Sequence, residues 1–561
     1  MPLFADLLHS EARLSVDPAA LGQALTFAFA AGSSSDDFDR LLNSARIETG
    51  KFRPECFAKD LFLTDLVGRC ITLRIKNRER SFHRAQLVRV LSQPPTELSE
   101  VQFRQAILAE LDANAELRKS LEKAWLQIAE VTNRLETTER GKRYDPAARR
   151  IDILRDIKYA LDLLDSGFSG ANSGLSRVAV FGRSVRASKA YRDLAALLDH
   201  EEHLATVDLR VRLGQDGRLR GFEITEAREN ADNPFHIAPL QRWISRVRMW
   251  FSGYRVREGE LVGRIANHVF DQLQATVVAL LELGLHFEFY LAALALRDRA
   301  LAAGLVMCLP EFVDASHQEP GHITGLFNPL LLLEGKTPVP CDLTPGTSSL
   351  VVITGPNSGG KTRLLEAIGL TQLLGQAGMF VPAQSARLSI RDGLFVSLLQ
   401  ETTADQPEGR LGMELLRIRR MFERLEFNSL VILDELCSGT NPSEGEGIFQ
   451  LVVGLLAELE PQAYITTHFL EFAARLARER PVAGLEFLQV ELDANNDPTY
   501  GFVNGVAPTS LAGRTAERLG VTREALEGLV RQKKRQQRAS TPPRAEASSG
   551  SVKASLKPSL E

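Results

Sequence analysis

Leu350-Val351-Val352-Ile353-Thr354-Gly355-Pro356-Asn357-Ser358-Gly359-Gly360-Lys361-Thr362 decides how this chain is read. The apolar run from Leu350 to Ile353 has the length of a buried strand, and a helix-like stretch follows from Arg363 to Gln376. Between them lies Gly-x-x-x-x-Gly-Lys-Thr in the setting that pattern requires, strand before and helix after. Glycines let backbone N–H groups crowd around phosphate oxygens without Cβ clashes. The helix N-terminus adds its dipole. Gly355, Pro356, Asn357, Ser358, Gly359, Gly360, Lys361 and Thr362 are therefore candidate nucleotide-binding residues. Lys361 is expected to reach the β- and γ-phosphates and Thr362 to hold Mg²⁺.

Two further strands end in chemistry. Ser429 to Leu433 is apolar and runs into Asp434 and Glu435. Asp434 at a strand end beside a phosphate loop suits the water shell of Mg²⁺. Glu435, one residue on, faces the opposite side of the chain and suits a general base for the attacking water. Without the loop, the same residues would read equally well as a strand capped by solvated acids. Ala463-Tyr464-Ile465-Thr466-Thr467-His468 is a third short strand, ending in His468. Sites gather at strand C-terminal ends in doubly wound sheets, so His468 is a candidate contact to the γ-phosphate or the water.

Thr354 to Thr362, Asp434 to Thr440 and Thr466 to His468 together resemble the MutS family of ATPases. Met379-Phe380-Val381-Pro382-Ala383-Gln384 is similar to that family's segment after the phosphate-loop helix. Asp434 to Gly445 resembles the second bacterial paralogue group, which lacks mismatch-recognition domains. The close resemblance covers roughly Phe327 to Val530 and reaches more weakly back to about Asp60. It implies an α/β P-loop, ABC-type ATPase domain, a mostly parallel sheet flanked by helices. Before it would come a mainly α-helical core and lever region with a small β clamp-like hairpin. The cofactors implied are ATP and Mg²⁺, and the reaction is hydrolysis of ATP to ADP and phosphate. Asp434 and Thr362 would hold the metal, and Glu435 and His468 would act in catalysis. Phe327 to Leu330 and Val339 to Asp342 would lie near the adenine. In the family a small hydroxyl residue reaches across a dimer to the partner's γ-phosphate. Here Gly409 stands near that position, and Arg410 beside it would supply charge.

The 561 residues carry a net charge of −4, so no global basic signature points to nucleic acid. Five scattered cysteines read as reduced thiols rather than a disulfide frame or zinc site. No signal-peptide pattern opens the chain and no apolar run reads as bilayer-spanning; the expected location is the cytoplasm, with no membrane partner. The expected organisation is 1–59, a segment without a readable role; 60–168, a helical core; 169–326, a lever and clamp-like region; 327–530, the ATPase with C-terminal dimerisation helices; and 531–561, a disordered basic tail.

Within the third region Val207 to Leu213 and Arg218 to Thr225 alternate on either side of an Asp-Gly turn, a hairpin signal. Arg210, Arg212, Arg218 and Arg220 ride on it. A reduced clamp touching a nucleic-acid backbone and a plain solvated hairpin fit equally. Gln241 to Arg257 interleaves basic residues with Trp243, Trp250 and Tyr254. That pattern suits phosphates and bases, but an amphipathic helix burying its aromatics looks the same. No Gly-x-Phe-Tyr-Glu-like motif stands near the N-terminus, and no nuclease-type domain is expected after the ATPase. The expected protein is a homodimeric, ATP-gated clamp on DNA, mismatched, branched or distorted, in repair or recombination. The alternatives are an ATP-dependent RNA or ribosome remodeller and a protein-binding structural ATPase.

Overall fold

The computed structural model describes residues 4–32, 50–136, 146–203, 206–213, 219–228, 258–313, 321–344, 349–398, 409–437, 441–459, 461–508 and 520–540. Helix α1 (Pro18–Ala31) starts where Asp17 accepts the N–H groups of Ala19 and Ala20, and it stops at Gly32 with φ 76°. A small hairpin, β1 (Leu73–Ile75) and β2 (Arg78–Arg80), turns at Lys76 and Asn77, both at positive φ. Helices α2 (Arg84–Leu91), α3 (Leu98–Ala113), α4 (Ala115–Glu136), α5 (Pro146–Gly167), α6 (Ser176–Arg186) and α7 (Lys189–His203) follow. Strands β3 (Thr206–Leu213) and β4 (Leu219–Arg228) pair antiparallel, as the alternation predicts. Their connecting turn and the aromatic-basic segment 241–257 lie outside the described residues.

Helix α8 (Glu258–Ala302) is 45 residues long, about 68 Å at 1.5 Å per residue. From Ile265 to Ala302 it is long and apolar enough by composition to cross a membrane, although no run of the sequence is expected to. Its most apolar window is wholly buried inside the protein. Its apolar residues thus serve a core: Phe270 stacks on Phe29 of α1 at 4.0 Å, and Phe287 on Phe168 at 5.7 Å. The charges it buries have partners. Glu288 accepts from Trp125 Nε1 at 3.2 Å and from the His83 backbone N–H at 2.9 Å. The opening segment belongs to this core, since Tyr290 donates its hydroxyl to Leu7 O.

Two sheets follow. In the smaller, β5 (Glu311–Val313), β6 (His322–Leu326), β7 (Cys341–Leu343) and β9 (Ser385–Ser389) lie in the order β5-β9-β6-β7. It draws strands from both sides of residue 327. The larger contains β8 (Leu350–Thr354), β10 (Leu394–Ser397), β11 (Leu430–Leu433), β12 (Gln462–Thr466), β13 (Leu485–Leu492) and β14 (Pro498–Asn504), in the order β10-β11-β12-β8-β13-β14. Every pair is parallel except β13 with β14. Its flanking helices include α9 (Lys361–Gln376), α10 (Gly409–Arg424), α11 (Pro442–Glu458) and α12 (Leu470–Glu479).

The burial of β8 explains its unbroken apolar run. Val351 and Ile353 join a core with Leu364, Leu365 and Ile368 of α9. Leu350 and Val352 join a second core with Phe449, Val453, Phe472 and Leu476 of α11 and α12. Both faces of the strand are thus covered, as parallel sheets require. The first core runs on into the helical region without a break. A last helix, α13 (Arg523–Ser540), continues ten residues past the point where the sequence reading begins a disordered tail. Arg523 and Arg531 both pair with Glu527 at i,i+4 spacing, and the stretch is rich in helix-forming Lys, Arg and Gln.

Candidate functional site

The loop from Gly355 to Gly360 leaves the end of β8 and passes under β13. An added Cβ at Gly355 would stand 2.6 Å from Val490 Cγ2, and one at Gly359 would stand 2.9 Å from it. Gly355 also sits at φ 142° and Gly360 at φ 90°, conformations that favour glycine. No side chain among the described residues caps the N-terminus of α9, which suits its first N–H groups to a ligand.

Lys361, the first residue of α9, is 6 % exposed. Its Nζ curls back to donate to Gly355 O at 3.0 Å and Pro356 O at 3.1 Å. Burial lowers its pKa below the ordinary lysine value, while Glu435 and Asp434 pull it up. Thr362 donates its hydroxyl to Asp434 Oδ2 at 2.6 Å. Asp434 is not on the neighbouring strand: β12 lies between β11 and β8. Thr466, at the end of β12, fills that gap and donates to Asp434 Oδ1 at 2.5 Å. The same Thr466 oxygen accepts the N–H of Glu435 at 2.7 Å.

A cavity of about 620 Å³ opens over the loop. Asn357 to Thr362 and Glu435 form one part of its lining. Phe327 and Val339, from the two segments that the resemblance puts near the adenine, form another together with Leu331. Tyr500 and Phe502 of β14 also line it. Sequence reading missed these two; the only signal was two aromatics spaced by two after the Asn495-Asn496-Asp497 turn. Asn328 braces the far wall, donating to Glu366 Oε2 at 2.6 Å and to Arg363 O at 3.1 Å.

His468 stands apart from this cavity lining. Its exposed ring lies against Phe469, with centroids 4.4 Å apart. The structure thus brings Gly355–Thr362, Asp434 and Glu435 together and leaves His468 at the rim of the strand ends. Of the segment with Gly409, the backbone of α10 is described from residue 409, and nothing is described for residues 399–408.

The donor set suits a nucleotide with a hard cation. Thr362 and Asp434 present oxygen ligands at the foot of the loop, and the lysine ammonium lies within the same fold of chain. Comparison with known sequences agrees. Residues 351–531 match the family model described as MutS domain V. A protein named Endonuclease MutS2 from Thermomicrobium roseum is 30 % identical over 305 residues, 52 % of this chain and 37 % of the relative. One of the same name from Thermus thermophilus is 29 % identical over 347 residues, 61 % of this chain and 43 % of the relative. Another, from Alkaliphilus metalliredigens, is 35 % identical over 207 residues, 36 % of this chain and 25 % of the relative. The chain thus spans less than half the length of these relatives. Residues 351–531 are similar to domain V of the MutS family, which is an ATPase domain, and the relatives that share this stretch bear MutS2 names.

Proposed function

We propose that this chain binds ATP with Mg²⁺ on a P-loop of ABC type and hydrolyses it. Nucleotide state then governs how a homodimer holds nucleic acid, foremost DNA, in repair or recombination. The observation that carries the reading is the 2.6 Å contact of Thr362 with Asp434 at the N-terminus of the helix that Lys361 opens. Thr362 and Asp434 would hold the metal, which would supply positive charge against the phosphates. Lys361 would exchange its two carbonyl partners for phosphate oxygens, a stronger charge-assisted pairing. Glu435, in the cavity lining, would take the proton of the attacking water. Tyr500 and Phe502 would flank the base. His468 is assigned the γ-phosphate contact by its place after β12, although its ring rests on Phe469.

The relatives bear the name of an endonuclease, which supports a nucleic acid as partner. Leu526, Leu529 and Val530 stand exposed on α13, as a helix awaiting a second copy would present them. The test is a competition among duplex, mismatched and four-way-junction DNA and structured RNA, with and without ATP, alongside phosphate release. Preference for structured RNA would favour the RNA remodeller. No salt-dependent affinity for any of them would favour a protein partner.

A further inference from the structure

The turn after β11 holds two residues in the left-handed region although neither is glycine: Glu435 at φ 49° and Cys437 at φ 63°. Such conformations are costly for residues with a Cβ and persist only where the surroundings hold them. Here each has its backbone N–H taken by a side chain from a different element. Glu435 N–H donates to Thr466 Oγ1 at 2.7 Å, from the end of β12. Cys437 N–H donates to the carboxylate of Glu414, from α10. The single proton of the buried Thr466 hydroxyl goes to Asp434 Oδ1 at 2.5 Å. One hydroxyl therefore orients the carboxylate of Asp434 by donating and fixes the backbone of Glu435 by accepting. Thr362 takes the other Asp434 oxygen, which completes the restraint on that carboxylate.

We infer that Thr466 and Glu414 are positioning residues for hydrolysis, gripping the turn 434–437 from two sides so that Glu435 faces the cavity while Asp434 faces Thr362. This rests on the reading of Asp434 and Glu435 as the metal-holding and water-activating carboxylates. Neither Thr466 nor Glu414 lines the cavity, so their loss should act on the reacting geometry rather than on nucleotide affinity. Misplacement of about 1 Å can cost about a hundredfold in rate.

The experiment uses the full chain, with a fluorescent ATP analogue for affinity and phosphate release for turnover. Thr466→Val keeps the shape and removes both hydrogen bonds. It should hold ATP affinity within about threefold of wild type while kcat falls about tenfold to a hundredfold. Thr466→Ser, which restores the hydroxyl, should recover most of the rate. Glu414→Ala should lower kcat in the same sense, and Glu414→Gln, whose amide oxygen still accepts, should recover it. Wild-type kcat in Thr466→Val, with Lys361→Ala still abolishing binding, overturns the positioning role and leaves the ATP site standing. Equal losses of affinity and melting temperature in the Val and Ser variants overturn it too, marking Thr466 as a packing residue. A wild-type chain that neither binds nor hydrolyses ATP removes the parent reading and this one with it.

Discussion

Lys361 and Glu435 lie in the same cavity lining but act at separable steps. Lys361→Ala removes the one ammonium folded onto the loop carbonyls, and nucleotide affinity should vanish in a fluorescence titration. Glu435→Gln keeps the shape and leaves Lys361 and Asp434 in place. It should bind ATP normally and release phosphate about 10²–10⁴-fold more slowly. Normal turnover in Glu435→Gln would remove its role as base. Tyr500 belongs at this scale as well. It is half exposed, sits at φ 63°, and has a ring carbon 3.3 Å from where a Cβ on Gly360 would stand. Stacking on a base is worth about 1–3 kcal/mol, so Tyr500→Ala should weaken ATP about tenfold while leaving affinity for inorganic triphosphate unchanged. Equal weakening of both ligands would show that the ring supports the loop rather than a base.

At the scale of elements, two attachments can be tested. The opening segment docks on α8 where Leu7 N–H donates to His286 Nδ1 at 3.3 Å and Asp6 lies 3.8 Å from the same nitrogen. The Asp6 carboxylate also pairs with His9 Nδ1 at 2.7 Å and accepts the N–H groups of Leu8 and Arg13. Burial raises its pKa, but the bond to His9, the charges of His286 and His9 and the Arg13 N–H outweigh it and bring it down to about 2. A carboxyl depressed in the folded state stabilises it above the unfolded pKa near 4, and that stability is lost as pH falls through about 2. Asp6→Asn should therefore cost about 2 kcal/mol at pH 7 in urea unfolding, with the difference shrinking below pH 4. A pH-independent difference would assign the loss to packing alone. The second attachment is α13. Ending the chain before Ala512 should give monomers by light scattering and lower ATPase activity. A shortened chain that stays dimeric and fully active would count against assembly through these helices.

Across the whole molecule, α9 joins the two halves. Its first residues are Lys361 and Thr362; its far end is held from the helical region. Arg104, fully buried, donates to Ala377 O at 3.0 Å and to Leu8 O at 2.7 Å, and Gln376 donates to Pro95 O at 3.0 Å. A shift of α9 on nucleotide binding would thus be felt at the opening segment and at α3, which carries Arg104. If the β3–β4 hairpin is the clamp, replacing Arg210, Arg212, Arg218 and Arg220 with Ala should weaken all DNA sequences alike. The salt slope should fall by about 3–4, since each arginine removed leaves one phosphate with its counterions. ATP should change DNA affinity by the same factor that DNA changes ATP affinity. An unchanged slope would leave the hairpin a solvated face.

What short-range chemistry sets was readable from the residues alone. The strand–loop–helix at 350–376 and the carboxylate pair after Leu433 follow from residue type and spacing within a dozen residues, and the structure places them as read. The hairpin at 206–228 was equally legible, because alternation around a turn is local. Strand order and packing over long separations settled the rest. That β12 enters between β11 and β8 makes Thr466 the residue that touches Asp434, a contact the sequence did not suggest. That β14 folds back over the loop brings Tyr500 into the cavity from 140 positions beyond Gly360, a separation no periodicity encodes. The sequence was read as having no bilayer-spanning run, yet α8 is long and apolar enough by composition for one; a core and a bilayer ask for the same residues, and it is the packing of the surrounding helices that buries its most apolar window.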